Sequence, residues 1–219
     1  MSRCRAELAE AGVTQLVGFL RDAAVTETVA AAVRLRPRAW ATASSHNVYF
    51  TDFESDRCGA DPASRPIDTS EKALAYDLLV DLPIRRVYES DALLEFVRQV
   101  LDVPQLHCSA DPLDAAQIAF FETGDQLGGQ FEFLPALRSA TDSNHRGVLA
   151  ALDGARDGVH TLTTSPGTLA LFRGHWSLHR VAAVTGNRPR INSVFTFGER
   201  PGMRLTPLTQ KLFYGRNVN

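Results

Sequence analysis

The chain reads as an α+β fold with a β-sandwich or jelly-roll core. Two patterns predict this. Apolar residues at helical spacing dominate the first half, and short β-rich runs separated by Gly, Pro, Asn or Asp fill the second. Helices first and strands afterwards place the helices on one face of a sheet core. At 219 residues, 44% hydrophobic and 22% charged, the chain is long enough for one domain with a substantial interior. That domain is expected to span residues 1–219. Residues 1–115 serve as mainly helical support and 116–219 as mainly the strand core.

Taken in order, residues 5–34 read as two helices. Leu8, Val13, Leu16, Val17, Phe19 and Leu20 form the stripe of the first, and an Ala/Val-rich run over 25–33 forms the second. Pro37 ends them. Trp40, Val48, Tyr49 and Phe50 make 39–53 extended, and Gly59, Pro62 and Pro66 make 58–66 a loop. A helix capped by Ser70 is expected over 70–79. A strongly amphipathic helix is expected over 91–101, from Leu93, Leu94, Phe96, Val97, Val100 and Leu101. Strands are then expected at 118–122, 130–134, 159–163, 168–172, 177–184 and 190–197, with a helix near 142–152 between them.

Several function classes fall away. A formal charge of −2 gives no basic footprint for nucleic acid. No apolar run approaches the roughly 18 residues of a membrane span, and the first residues do not read as a signal peptide. Three cysteines, Cys4, Cys58 and Cys108, with no CxxC pair, argue against a disulfide framework or a cysteine zinc site. They fit a reducing, cytoplasmic setting. No GxSxG, Walker A, GxGxxG or HExxH motif is present.

Chemistry concentrates near the C-terminus. His179 lies in the strand-like run Leu178-His179-Arg180-Val181, preceded by turns at Pro166-Gly167 and Gly174. Arg190 follows eleven positions later across Gly186-Asn187. An antiparallel hairpin can bring both side chains to one inner face. There an imidazole suits a metal and a guanidinium suits a carboxylate, with Arg188 competing for the second role.

These residues belong to an ordered series of blocks. They are Gly124-Asp125-Gln126-Leu127-Gly128, Gly129-Gln130-Phe131-Glu132-Phe133-Leu134-Pro135-Ala136-Leu137-Arg138, Pro166-Gly167-Thr168-Leu169, Leu178-His179-Arg180-Val181, Gly186-Asn187-Arg188-Pro189-Arg190 and Tyr214-Gly215-Arg216. The series resembles the Fe(II)/2-oxoglutarate oxygenase superfamily, in particular the group of halogenases and hydroxylases acting on free amino acids. The resemblance implies a double-stranded β-helix, Fe(II) and 2-oxoglutarate as cofactors, and His179 as a metal ligand. It implies Arg190 as the clamp on the 2-oxoglutarate carboxylate, with Asn192 beside it.

The resemblance also exposes a gap. Such sites carry a His-X-Asp, His-X-Glu, His-X-Gly or His-X-Ala pair on an early strand, and none follows Gly128. In one reading Gln130-Phe131-Glu132 fills that slot, with Glu132 a metal ligand beside His179 and Gln130 a weak one. In the other, a strand and its return, on the order of 10–20 residues, have been lost. The second reading is preferred, because the Phe-Glu-(aromatic)-X-Pro-X-(aliphatic)-Arg continuation then matches without strain. The implied activity is hydroxylation or halogenation of a small amino-acid-like substrate. The rival is an inactive member that binds a small carboxylate or acts as a scaffold. A small-molecule partner is expected, with no nucleic acid and no membrane, and a homodimer that closes the broken sheet is conceivable.

Overall fold

A computed structural model describes residues 1–50, 61–121, 129–182 and 189–218. The chain begins with α1 (Ser2–Ala11), which stops because Gly12 turns left-handed at φ 74°. Its N–H returns to the Leu8 carbonyl at 3.1 Å. The following residues were expected to prolong the helix. Instead β1 (Val13–Leu16) pairs antiparallel with β8 (Leu169–Phe172), Val13 opposite Phe172. A glycine cap plus a distant strand partner outweighs the local apolar stripe.

Next comes α2 (Asp22–Leu35), which buries Thr28, Ala31 and Ala32. These small side chains let it lie close on the large sheet, against Leu74, Ile118 and Phe120. That sheet runs in the order β10 (Arg190–Phe195), β5 (Ala116–Phe121), β3 (Ile67–Leu74), β2 (Trp40–His46), all antiparallel. The segment expected as a helix over 70–79 is therefore mostly β3. Residues 67–74 gain ladder partners on both sides, which a lone Ser cap cannot match. Two short helices follow, α3 (Pro83–Tyr88) and α4 (Asp91–Leu101), and α4 buries Leu93, Val97 and Val100 as its spacing predicts.

The second sheet has the order β7 (His160–Leu162), β6 (Phe131–Leu134), β9 (Leu178–Val181). A two-stranded ribbon joins β4 (His107–Cys108) to β11 (Phe197–Gly198). The helix α5 (His145–Leu152) starts at Asn144, whose side chain accepts from the Gly147 N–H. The chain is thus α+β with antiparallel sheets, and the described strands form four separate sheets rather than one closed barrel. The first 115 residues are not only helical support: they supply β2 and β3, half of the large sheet. Among the described residues no helix is long and apolar enough to cross a membrane. Cys4 and Cys108 are free thiols.

Two polar hubs hold the layers in place. Tyr88, 2% exposed, donates its hydroxyl to the Thr196 carbonyl at 2.9 Å and accepts from the Ser109 N–H at 2.9 Å. Asp111, 1% exposed, accepts from Leu113 N at 2.8 Å, Asp114 N at 3.1 Å, Leu205 N at 3.0 Å and Gln210 Nε2 at 2.8 Å. Through Gln210 it anchors the last helix, α6 (Pro207–Tyr214), to the loop that enters β5. The Asp111→Ala variant leaves several buried donors unpaired and should lose about 3 kcal/mol of stability in urea unfolding. A loss below about 1 kcal/mol would show that the hub is dispensable.

Candidate functional site

Side-chain alternation decides what each strand offers the interior. On β10, Ile191 and Phe195 pack toward α2 with Leu74, Ile118 and Phe120. Arg190 and Asn192 therefore project from the other face, opposite Phe121 and Ala119. They touch one another, Arg190 Nε donating to Asn192 Oδ1 at 3.1 Å. Arg190 Nη1 donates to the carbonyl of Gly129, at the entry to β6, so the guanidinium reaches from the large sheet to the second. Arg190 is half-buried, and burial lowers its pKa. No carboxylate among the described residues lies in ion-pair range of it.

On the second sheet, His179 stands opposite Phe133 and Arg180 opposite Glu132. Opposed residues in an antiparallel pair share a face, so His179 shares its face with Phe131 and Phe133, and Glu132 lies on the reverse. Two rings flank the imidazole, which is otherwise open to solvent. Phe131 is 5.6 Å and Phe172 is 5.1 Å from it, centroid to centroid, and Phe131 and Phe172 are 5.0 Å apart. The His179 Nδ1 sits 3.0 Å from the Ser177 carbonyl. A proton on Nδ1 satisfies that carbonyl and leaves the Nε2 lone pair free, the arrangement that a metal-ligating histidine uses. Burial first, and the Arg138 charge in addition, lower the His179 pKa, while the Ser177 carbonyl opposes them. The imidazole is therefore neutral at pH 7.

Glu132 does not join this ligand. It is ion-paired on the reverse face with Arg180 at 2.8 Å and with Arg156, whose Nη1 lies 3.0 Å away. Two guanidiniums occupy the carboxylate, and the strand register turns it away from His179. Gln130, before β6, is exposed. Neither residue thus completes a metal centre in the way the substitution reading expected. All six histidines are described, and among the described residues no group of three or more His, Cys, Asp or Glu side chains is placed to hold a metal ion. His160 shares the row of His179 but Phe133 stands between them. The described residues therefore offer iron one ligand, which does not hold it. The Gly124–Gly128 block, with its Asp125, and the competing Arg188 lie outside the described residues.

Spacing alone did not single out Arg138, whose charge bears on His179, or Tyr49 beside it. Arg138 closes the loop after β6. Its N–H donates to the Trp176 carbonyl at 3.0 Å and its Nη2 to the His175 carbonyl at 3.0 Å. Its Nε is buried without a partner, and so is the hydroxyl of Tyr49, whose ring centroid lies 5.7 Å from the Arg138 Cζ. Arg138 was visible only as the last residue of a block, and Tyr49 only as a β-former. A cavity of about 490 Å³ lined by Leu16, Phe19, Pro83, Arg86 and Phe96 lies between β1, α3 and α4 and includes none of these residues.

Glu132 gives a pH prediction. Hydrogen bonds from Arg156 lower its pKa to about 2 against opposing burial, with Arg180 adding to the effect. A depressed carboxylate contributes stability above its unfolded value of 4.5 and loses it as pH falls toward 2. Acid titration of Glu132→Gln, followed by circular dichroism, should show a shallower stability loss across that window than the parent chain. Identical acid limbs would remove the ion pairs from the account.

No protein-family model and no curated protein matches the chain. Solved structures do match its fold. The non-heme α-ketoglutarate-dependent epimerase SnoN from nogalamycin biosynthesis aligns over 100% of this chain and 89% of its own, at 13% identity and TM-score 0.57. The complex of SnoN with Fe3+, α-ketoglutarate and nogalamycin RO aligns over 92% and 86%, at 14% identity and TM-score 0.52. AviO1 from Streptomyces viridochromogenes Tue57 aligns over 94% and 97%, at 14% identity and TM-score 0.55. At these identities the likeness is one of fold: the chain shares, over nearly its full length, the architecture of an Fe/α-ketoglutarate-dependent enzyme.

Proposed function

We propose that this chain is an oxygenase-fold protein that binds 2-oxoglutarate, or a closely related small carboxylate, through Arg190 and Asn192. The observation that carries this is a half-buried guanidinium with no carboxylate partner among the described residues. Burial of an uncompensated cation is costly, and a bound carboxylate relieves it through a two-pronged charge-assisted contact. The shared architecture supports a double-stranded β-helix as the frame. The open edges of β8, β9 and β10 among the described strands support the reading in which a strand and its return are missing beside His179.

A second reading is the catalytic one: Fe(II)- and 2-oxoglutarate-dependent hydroxylation or halogenation of a small amino-acid-like substrate. It is favoured by His179, a neutral imidazole with Nδ1 engaged and Nε2 free. Iron bound there would activate O₂. The chain's own part would be to orient the 2-oxoglutarate at Arg190 and to flank the metal site with Phe131 and Phe172. The ligands beyond His179 must then come from outside the described residues.

Calorimetric titration of the metal-free chain with 2-oxoglutarate tests the first reading. Arg190→Gln should weaken binding by roughly 2 kcal/mol, about thirtyfold in Kd. Equal affinity in the variant removes Arg190 from the site. Anaerobic addition of Fe(II) then tests the second reading. A visible metal-to-ligand charge-transfer band that is lost in His179→Ala supports the enzyme. Binding of 2-oxoglutarate without that band leaves the carboxylate-binding reading alone.

A further inference from the structure

Arg138 is a second arginine without an acid. Its Nη2 is occupied by the His175 carbonyl at 3.0 Å, but its Nε is buried and makes no hydrogen bond. No carboxylate among the described residues lies in ion-pair range of it. The Tyr49 ring lies 5.7 Å from the Arg138 Cζ, and its hydroxyl is likewise buried and unpartnered. A buried N–H and a buried O–H that both lack an acceptor are costly unless something fills the place. Both are donors, and one carries a positive charge. The group that satisfies them together is an oxyanion, and a planar carboxylate matches the arginine fork.

The surroundings define what carries that carboxylate. The Arg138 charge is near enough to bear on His179, and His179 is bordered by the rings of Phe131 and Phe172. The described side chains that flank the solvent-exposed imidazole are thus aromatic. Burial raises the Tyr49 phenol, with Asp61 adding to this and Arg138 opposing, so the hydroxyl remains a donor at neutral pH. The Asp61 carboxylate itself faces His145, whose Nδ1 is 4.0 Å away.

We infer that Arg138 and Tyr49 form an anion subsite, separate from Arg190, that takes the carboxylate of a ligand whose carbon skeleton lies against Phe131 and Phe172. This rests on the reading of the chain as a carboxylate-binding oxygenase-fold protein, but needs neither iron nor a second metal ligand. Of the two carboxylate sources, 2-oxoglutarate belongs to Arg190 and the substrate to Arg138. The substrate class that follows is an arylalkyl carboxylate, recognised by its charge at one end and its flat apolar body at the other.

The test is calorimetric titration of the intact, metal-free chain with 3-phenylpropionate, its neutral amide 3-phenylpropionamide, and 2-oxoglutarate. The carboxylate should bind saturably and at least about tenfold tighter than the amide. Arg138→Gln should weaken 3-phenylpropionate by roughly tenfold to a hundredfold, and Tyr49→Phe, which keeps the ring packing, by a fewfold. Arg190→Gln should leave 3-phenylpropionate unchanged while weakening 2-oxoglutarate. Thermal melts of each variant separate lost binding from lost folding. No saturable binding of 3-phenylpropionate, equal affinity for the amide, or parent-like affinity in both Arg138→Gln and Tyr49→Phe overturns the subsite. If 3-phenylpropionate follows Arg138 and 2-oxoglutarate ignores Arg190, the subsite stands and the Arg190 reading falls. The converse result leaves Arg190 and removes the subsite.

Discussion

The strict two-residue alternation along β6 is the constraint on which the site depends. One face of that short strand carries Phe131 and Phe133 toward His179, and the other carries Glu132 toward Arg156 and Arg180. No side chain on such a strand can serve both sides. The aromatic surface around the imidazole and the ion-pair cluster behind it are two consequences of a single register. Because Gly129 at the head of the same strand receives Arg190, that register also links the two sheets.

Charge placement follows from this division. On the reverse face, Glu132 meets guanidiniums that are more than half exposed, so those cations are both paired and hydrated. On the inner side, Arg190 and the Nε of Arg138 are drawn out of water without an acid to meet them. Natural interiors tolerate uncompensated cations poorly. One stands on the large sheet and the other follows β6, an asymmetry that a ligand with two ends would read. The neutral imidazole of His179 adds no further positive charge beside Arg138.

Much of the architecture was legible in the sequence, and the exceptions are instructive. The helix at 91–101 follows from its apolar spacing, and the strands near 118, 131, 169, 178 and 190 from short β-rich runs between turn residues. Residues 13–16 and 70–74 were misread as helical. Their strand character comes from partners about 155 and 45 residues away, which local periodicity cannot register. The helix α6 was not foreseen; its buried set of Thr209, Gln210 and Tyr214 is largely polar and is fixed by Asp111 and Asp114 rather than by an apolar stripe. In the site, His179 and Arg190 were legible as residue types between turns. The exclusion of Glu132 required the register, and the pairing of Arg138 with Tyr49 required a contact between residues 89 positions apart.

The attachment of α6 has a practical side. Gln210 donates to the buried Asp111, and its own Oε1 accepts from the Val218 N–H at 2.9 Å. Tyr214 closes on Asp114 at 2.6 Å, and Arg216 grips Asp77 through both oxygens at 2.8 and 2.7 Å. The tail is thus wired into the segment that launches β5, the strand paired directly with the one bearing Arg190. An affinity tag fused close behind Val218, or a protease nick before Pro207, would tug on the interior as well as on the periphery. Purification handles for this chain belong at its other end.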